Sequence, residues 1–228
     1  MANITYKNGK KLNRIFKRQP EHFNKIVAKN YPFSLTLLEK YKDSLDWREL
    51  SENPNLQWSE ELIEKYMDKW HWHCYGHVKT KTGISGNKGL PWSESLIEKY
   101  EQVWDWNTLS MNTNLPWSVK LLEKFKDKWN WQNLSKNETI PVSEEIIDKF
   151  YDQWDWDCLS YNKGLPLSLK LIDAYENRWN YELLFRNPIF WEKIGKENIN
   201  HQLLEELMDK LIINRQAKQE DFFTYFSL

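Results

Sequence analysis

Apolar residues between positions 32 and 190 recur at helical spacing, and the whole pattern repeats. Anchored on a serine that follows Pro-Trp or a variant of it (Ser34, Ser59, Ser93, Ser118, Ser143, Ser168), successive copies stand 25, 34, 25, 25 and 25 residues apart. From each serine the apolar positions fall at +3, +4, +7 and +11: Leu62, Ile63, Tyr66 and Trp70 in one copy, Leu121, Leu122, Phe125 and Trp129 in another. That spacing lines one face of a helix, and it predicts a first helix of about 12 residues per unit. Pro32, Pro91, Pro116, Pro141 and Pro166 end the preceding segment and restrict the chain entering the helix. The serine is a natural N-cap, because its hydroxyl accepts from a free backbone N–H. Trp58, Trp92 and Trp117 precede the cap, and Ile63, Ile97 and Leu122 lie four residues after it, the arrangement of a hydrophobic staple.

A second, shorter element follows in each copy. In Asp105-Trp106-Asn107-Thr108-Leu109-Ser110 the aspartate can cap a turn or two of α- or 3₁₀-helix, with Trp and Leu inward. Asparagine then recurs at Asn53, Asn87, Asn112, Asn137, Asn162 and Asn187. It can serve as a left-handed C-cap or as a buried amide ladder. The expected fold class is all-α, an α-helical repeat solenoid with one long and one short helix per 25-residue unit. Its flanks are a basic N-terminal cap over 1–31 and C-terminal capping helices over 191–228, since end copies erode where a neighbour is lacking. Glu21–Asn30 reads as a degenerate short helix, 187–200 as an irregular connection, and Asn8-Gly9 as a hairpin turn.

Composition sharpens this picture. Fourteen Trp, 11 Tyr and 10 Phe in 228 residues, with almost no Ala, mean that helices meet through large rings, and each Trp can bury roughly 200 Å². The length suits one domain. No apolar run approaches the ~18 residues that span a bilayer, and Met1–Lys11 lacks a signal-type apolar core. A cytoplasmic protein is expected. Two cysteines, Cys74 and Cys158, argue against a disulfide scaffold. The net charge of −1 is uneven: residues 1–31 carry eight Lys/Arg against Glu21, a local +7 that leaves −8 elsewhere.

The motifs Leu90-Pro91-Trp92-Ser93, Leu96-Ile97-Glu98-Lys99-Tyr100 and Trp104-Asp105-Trp106, with Leu109-Ser110 and Asn112, resemble uncharacterised Trp-rich 25-residue helical repeat proteins of bacteria and large DNA viruses. The resemblance covers roughly 32–190 and implies a helical array, with no activity attached. In unit length the chain is also similar to leucine-rich-variant repeats, which alternate α- and 3₁₀-helices. It lacks their N-terminal cysteine cluster for iron and sulfur, so that likeness concerns fold alone.

Four features could carry function. The first is a nine-residue insertion near 77–85, read as following Gly76, which with its flank to 89 brings Lys79, Lys81 and Lys88 and no acid. A basic loop on a rigid scaffold can bind a partner, or be merely tolerated; it lacks the order of a phosphate-binding loop. The second is His71, His73, Cys74 and His77, a weak zinc-ligand candidate in which His71 occupies the slot of the aspartate cap. The third is a pair of charge rows, acids at +5 (Glu39, Glu64, Glu98, Glu123, Asp148, Asp173) and lysines at +6 (Lys40, Lys65, Lys99, Lys124, Lys149), offering either an acidic docking stripe or cross-paired surface ions. The fourth is the Trp ladder itself, which would stack bases if exposed and form core if buried.

No Ser–His–Asp or Cys–His set and no distinct acid/base pair emerges, so no enzyme, no cofactor and no small-molecule substrate is expected. The leading expectation is a non-enzymatic scaffold that binds another protein. The alternative is a nucleic-acid binder using Lys79, Lys81 and Lys88 with Lys10, Lys11, Arg14, Lys17 and Arg18 of the N-terminus.

Overall fold

The computed structural model describes residues 2–73 and 82–225, with side chains described over 9–73 and 82–213. Among the described residues the chain is helical with no strand, and the pattern of short paired helices is that of an α-helical repeat solenoid. It divides into two compact units, Met1–Pro141 and Val142–Leu228.

The first unit begins with α1 (Ala2–Phe16) and α2 (Pro20–Asn30). The repeats follow as α3 (Leu35–Tyr41) with α4 (Trp47–Ser51), then α5 (Glu60–Lys65) with a 3₁₀ turn at Ile84–Gly86, then α6 (Glu94–Lys99) with α7 (Trp106–Met111), and α8 (Val119–Lys124) with α9 (Trp131–Lys136). The second unit continues with α10 (Glu144–Lys149), α11 (Trp156–Ser160), α12 (Leu169–Ala174) and α13 (Tyr181–Arg186), then α14 (Pro188–Phe190), a π-turn at Trp191–Gly195, α15 (Lys196–Asn198) and α16 (His201–Tyr225).

All six anchor serines cap as the sequence requires, each accepting from the N–H three residues on, for example Leu96 N to Ser93 Oγ at 3.1 Å and Leu121 N to Ser118 Oγ at 3.1 Å. The second helices are capped by Asp46, Asp105, Asn130, Asp155 and Asn180. In α6, α8, α10 and α12 the first helix is α for six residues. Its remaining expected length runs as turns, because the aromatic residue at +7 leaves helical geometry (Tyr100 φ −111°, ψ 23°; Phe125 φ −119°, ψ 27°).

Helices this short leave most of their carbonyls without an intrahelical partner, and the indoles supply donors. In three repeats the +11 indole reaches back to the +4 carbonyl, Trp70 Nε1 to Ile63 O at 3.1 Å, Trp104 to Ile97 O at 3.0 Å and Trp179 to Ile172 O at 3.1 Å, whereas Trp129 Nε1 is buried with no hydrogen-bond acceptor. The second-helix indole donates five residues back, as from Trp106 to Glu101 O at 3.1 Å. Where a tryptophan precedes the serine (Trp58, Trp92, Trp117), its indole donates to the backbone carbonyl of the ladder asparagine, as from Trp92 to Asn87 O at 2.9 Å. Each such bond contributes about 1 kcal/mol.

The rings gather at the repeat junctions. Trp47 meets Trp70 edge-on at 4.8 Å, Trp72 meets Trp104 at 4.9 Å, and Trp106 meets Trp129 at 4.8 Å. In the second unit Trp156 meets Trp179 at 5.0 Å. The indole before the cap packs on the same +11 ring, as Trp92 does on Trp104 at 5.1 Å. Beneath them Leu50, Ile84, Leu109, Leu134, Leu159 and Leu184 are fully buried.

The recurrent asparagine forms the buried ladder, not a left-handed cap. Asn112 is extended (φ −73°, ψ 116°), and among the described residues no non-glycine has positive φ. Its amide donates backward into the preceding repeat: Asn87 Nδ2 to Ser51 O at 2.8 Å and Asn53 O at 3.1 Å, Asn137 Nδ2 to Ser110 O at 3.1 Å, and in the second unit Asn187 Nδ2 to Ser160 O at 3.1 Å. Its carbonyl accepts from the N–H two residues on, as from Gly89 at 2.8 Å. A parallel serine ladder runs beside it. Ser110 Oγ donates to Trp106 O at 2.6 Å and accepts from Asn130 N at 2.9 Å.

Two flanking expectations change. Residues 2–16 form helix α1 instead of a hairpin, since an isolated two-stranded hairpin is marginal in water while Leu12, Ile15 and Phe16 share a helical face. The stretch expected to be irregular is helical over 188–198, started by Asn187, whose side chain accepts from Ile189 N, and by Pro188 at the first position, which suits proline.

Candidate partner-binding groove

At the N-terminal end, α2 takes the place of a preceding second helix. Ala28 is buried and its carbonyl stands where a repeat presents that of the ladder serine: Asn53 Nδ2 donates to Ala28 O and Tyr31 O, both at 2.8 Å. Lys29 pairs with Glu52 at 2.9 Å, a bond that raises the Lys29 pKa. The ring cluster of a junction is reduced here. The +11 slot holds Leu45 instead of Trp, Phe33 replaces the tryptophan before the cap, and α2 contributes Phe23 and Val27. Smaller side chains in a site sized for indoles leave a void.

That void is an open apolar groove of about 480 Å³, lined chiefly by Phe16, Phe23, Val27, Phe33, Tyr41 and Leu45. Phe16 and Phe23 meet edge-on at 5.1 Å, and Tyr31 meets Phe33 at 5.0 Å. Asn24 Nδ2 bonds Ser44 O at 2.5 Å and ties α2 to the first repeat. Beside the groove, Leu12, Ile15 and Phe16 of α1 are 53%, 61% and 39% exposed.

Of the expected binding residues, Lys10, Lys11, Arg14, Lys17 and Arg18 are exposed on α1 and the turn after it. Lys11, Arg14, Ile15 and Arg18 border a shallow depression. Lys88 is exposed, its carbonyl accepting from Asn114 Nδ2 at 3.5 Å. Lys79 and Lys81 lie outside the described residues. The loop that carries them departs between Trp72 and Ile84. Ser85 Oγ bonds Trp72 O across 13 residues, a contact that spans four residues in the next repeat. Ile84 and Ser85 therefore belong to the core ladders and not to the insertion. At the loop's base Gly83 has φ +58°, and a Cβ there would collide with the His71 carbonyl oxygen.

His71 is half-buried, and burial holds its pKa below the usual imidazole value; His73 is exposed. Cys74 and His77 lie outside the described residues, and among the described residues no group of three or more His, Cys, Asp or Glu is placed to hold a metal. Cys158 is half-buried, and its N–H bonds the Asp155 cap at 2.9 Å.

The charge rows are cross-paired. Lys65 meets Glu39 at 3.1 Å, Lys99 meets Glu64 at 2.6 Å and Lys124 meets Glu98 at 2.7 Å, each lysine reaching the preceding repeat. Tyr66 Oη and Lys42 also donate to Glu39. Together they hold its carboxyl down at about 2, while burial and Glu39 push Tyr66 up to about 12. These bridged acids do not form an acidic stripe. The +11 indoles, 3–5% exposed, are core and offer no stacking platform.

No protein-family model, no curated protein and no solved structure matches the chain. Among the described residues no helix is long and apolar enough to cross a membrane. The groove was not named by sequence reasoning. Its signal was present as Leu45 in a tryptophan slot.

Proposed function

We propose that the chain is a non-enzymatic protein-binding scaffold whose N-terminal groove receives an apolar helix face of a partner. The observation that carries this reading is the groove itself. Its wall is apolar and open, it occupies the position of an underfilled repeat junction, and it adjoins the exposed apolar residues of α1. An amphipathic helix seats in such a groove through anchors at i, i+3, i+4 and i+7. The Lys10, Lys11, Arg14, Lys17 and Arg18 cluster favours an acidic outer face on that helix.

The test uses a fluorescein-labelled synthetic helix with leucines at i, i+3, i+4 and i+7 and glutamates elsewhere. Anisotropy should show saturable binding, weakened roughly tenfold or more, a loss of ~1.4 kcal/mol, by Phe16→Asp, with a scrambled peptide failing to bind. Equal binding of both peptides, or no effect of Phe16→Asp, would refute the groove as the site.

A second reading rests on the same basic cluster. Lys10 and Arg14 stand four residues apart on α1, Lys17 follows in the turn after it, and all are exposed, a disposition suited to phosphates. Binding of labelled single-stranded DNA that falls steeply as salt rises, with no response to Phe16→Asp, would favour it over the groove.

A further inference from the structure

The other end of the chain carries a surface with the complementary features. Helix α16 is 25 residues long, and Leu204, Leu207, Met208 and Leu211 are 42–49% exposed along it. Their spacing of 0, 3, 4 and 7 forms a single stripe. Glu205, Glu206 and Asp209 stand on the helix away from that stripe, with Lys210 as the one lysine up to residue 213. An apolar stripe left on water marks an interaction surface, because the end faces of repeat arrays are otherwise closed by polar residues.

We propose that the occupant of the N-terminal groove is the α16 helix of a second copy, so that the protein associates head to tail. The inference rests on the groove reading above. The stripe offers the anchor spacing that a groove reads. The charges agree in sign: three acids against one lysine on α16 over 201–213, and a local +7 over residues 1–31. The two surfaces differ from one another, so the contact is heterologous, of the kind that closes into a ring or continues as an open chain of copies. One chain thus supplies both halves of the junction in equal number. Opposite charge steers the ends together and disfavours groove-to-groove or helix-to-helix pairing.

The experiment is sedimentation velocity on the full chain over about 1–200 µM, since association must follow protomer concentration. The weight-average sedimentation coefficient should rise with concentration and fall as salt is raised from roughly 50 to 500 mM, where exposed charges are screened. Two variants break one end each: Phe16→Asp in the groove and Leu207→Asp on α16. Both positions are exposed, and circular dichroism should match the wild type for both. Each variant alone should stay monomeric. Mixed in equal amounts they should form a dimer and nothing larger, because one brings an intact helix and the other an intact groove. A monomeric wild type across the range would overturn the proposal, and so would a mixture that stays monomeric. If the leucine–glutamate peptide still binds the wild type in a Phe16-dependent way, only the second copy is excluded as occupant. If it does not bind either, the groove reading fails as well.

Discussion

Asn87→Ala isolates the buried amide ladder. The side chain is 3% exposed. Its Nδ2 donates to Ser51 O at 2.8 Å and Asn53 O at 3.1 Å, and its Oδ1 accepts from Gly89 N at 2.8 Å. Asn53 O keeps a second donor in Trp58 Nε1 at 2.8 Å, so truncation chiefly strands Ser51 O and Gly89 N. Each stranded buried group costs about 1–3 kcal/mol, giving a loss of about 3 kcal/mol. For a chain of this length that lowers the melting temperature by about 6–12 °C. Urea unfolding followed by tryptophan emission measures the loss. Asn114→Ala is the control: Asn114 is exposed and its amide meets Lys88 O at 3.5 Å, so its removal should change stability by under about 0.5 kcal/mol. A loss below about 1 kcal/mol for Asn87→Ala, or equal losses for the two, would refute the ladder's role.

Three further outcomes follow from other features. Gly83→Ala should destabilise by about 2 kcal/mol or more in the same urea titration, because φ +58° is unfavourable for a side chain and the new Cβ strikes His71 O. Trp104→Phe keeps a ring but removes the donor to Ile97 O, so it should cost about 1–3 kcal/mol; a neutral result would show that the carbonyl needs no indole. Glu39 has a folded pKa near 2, below its ordinary 4.5. A depressed carboxylate pKa stabilises above the unfolded value and is lost as pH falls through the folded one. Thermal melts between pH 5 and 2 should therefore fall more steeply for the wild type than for Glu39→Gln, and parallel curves would contradict the pairing.

Local chemistry was legible in the sequence where it acts over a few residues. Ser93 and Asp105 cap as read, because an N-cap needs only its own side chain and N–H groups two or three residues on. Trp104 and Trp129 are buried as their spacing from the serine predicts, although the chain that carries them runs as turns and not as helix. What the sequence did not disclose depends on partners far along the chain. Asn137 donates to carbonyls 25 and 27 residues earlier, so its role could not be separated from a left-handed cap. The break at Tyr100 has no proline or glycine to mark it; it shows only once the Trp104 N–H is seen to take the Ile97 carbonyl. Period arithmetic gave the size of the insertion but set its end at Ser85. The likeness of Ile84-Ser85-Gly86-Asn87 to Leu109-Ser110-Met111-Asn112 would have placed it earlier in the chain. The groove was half legible: erosion of the end copy was expected, but the space left by Leu45 requires knowing which rings fill an intact junction.

Hydrogen exchange of the asparagine side-chain amides, followed by nuclear magnetic resonance, tests the stacked-repeat account most directly. Amides sealed between repeats exchange only when the repeats part. The Nδ2 protons of Asn53, Asn87, Asn112, Asn137 and Asn187 should persist after transfer to deuterated solvent, while those of exposed Asn114 vanish in the first spectrum. Ladder amides that exchange as fast as Asn114 would mean that the junctions are not closed.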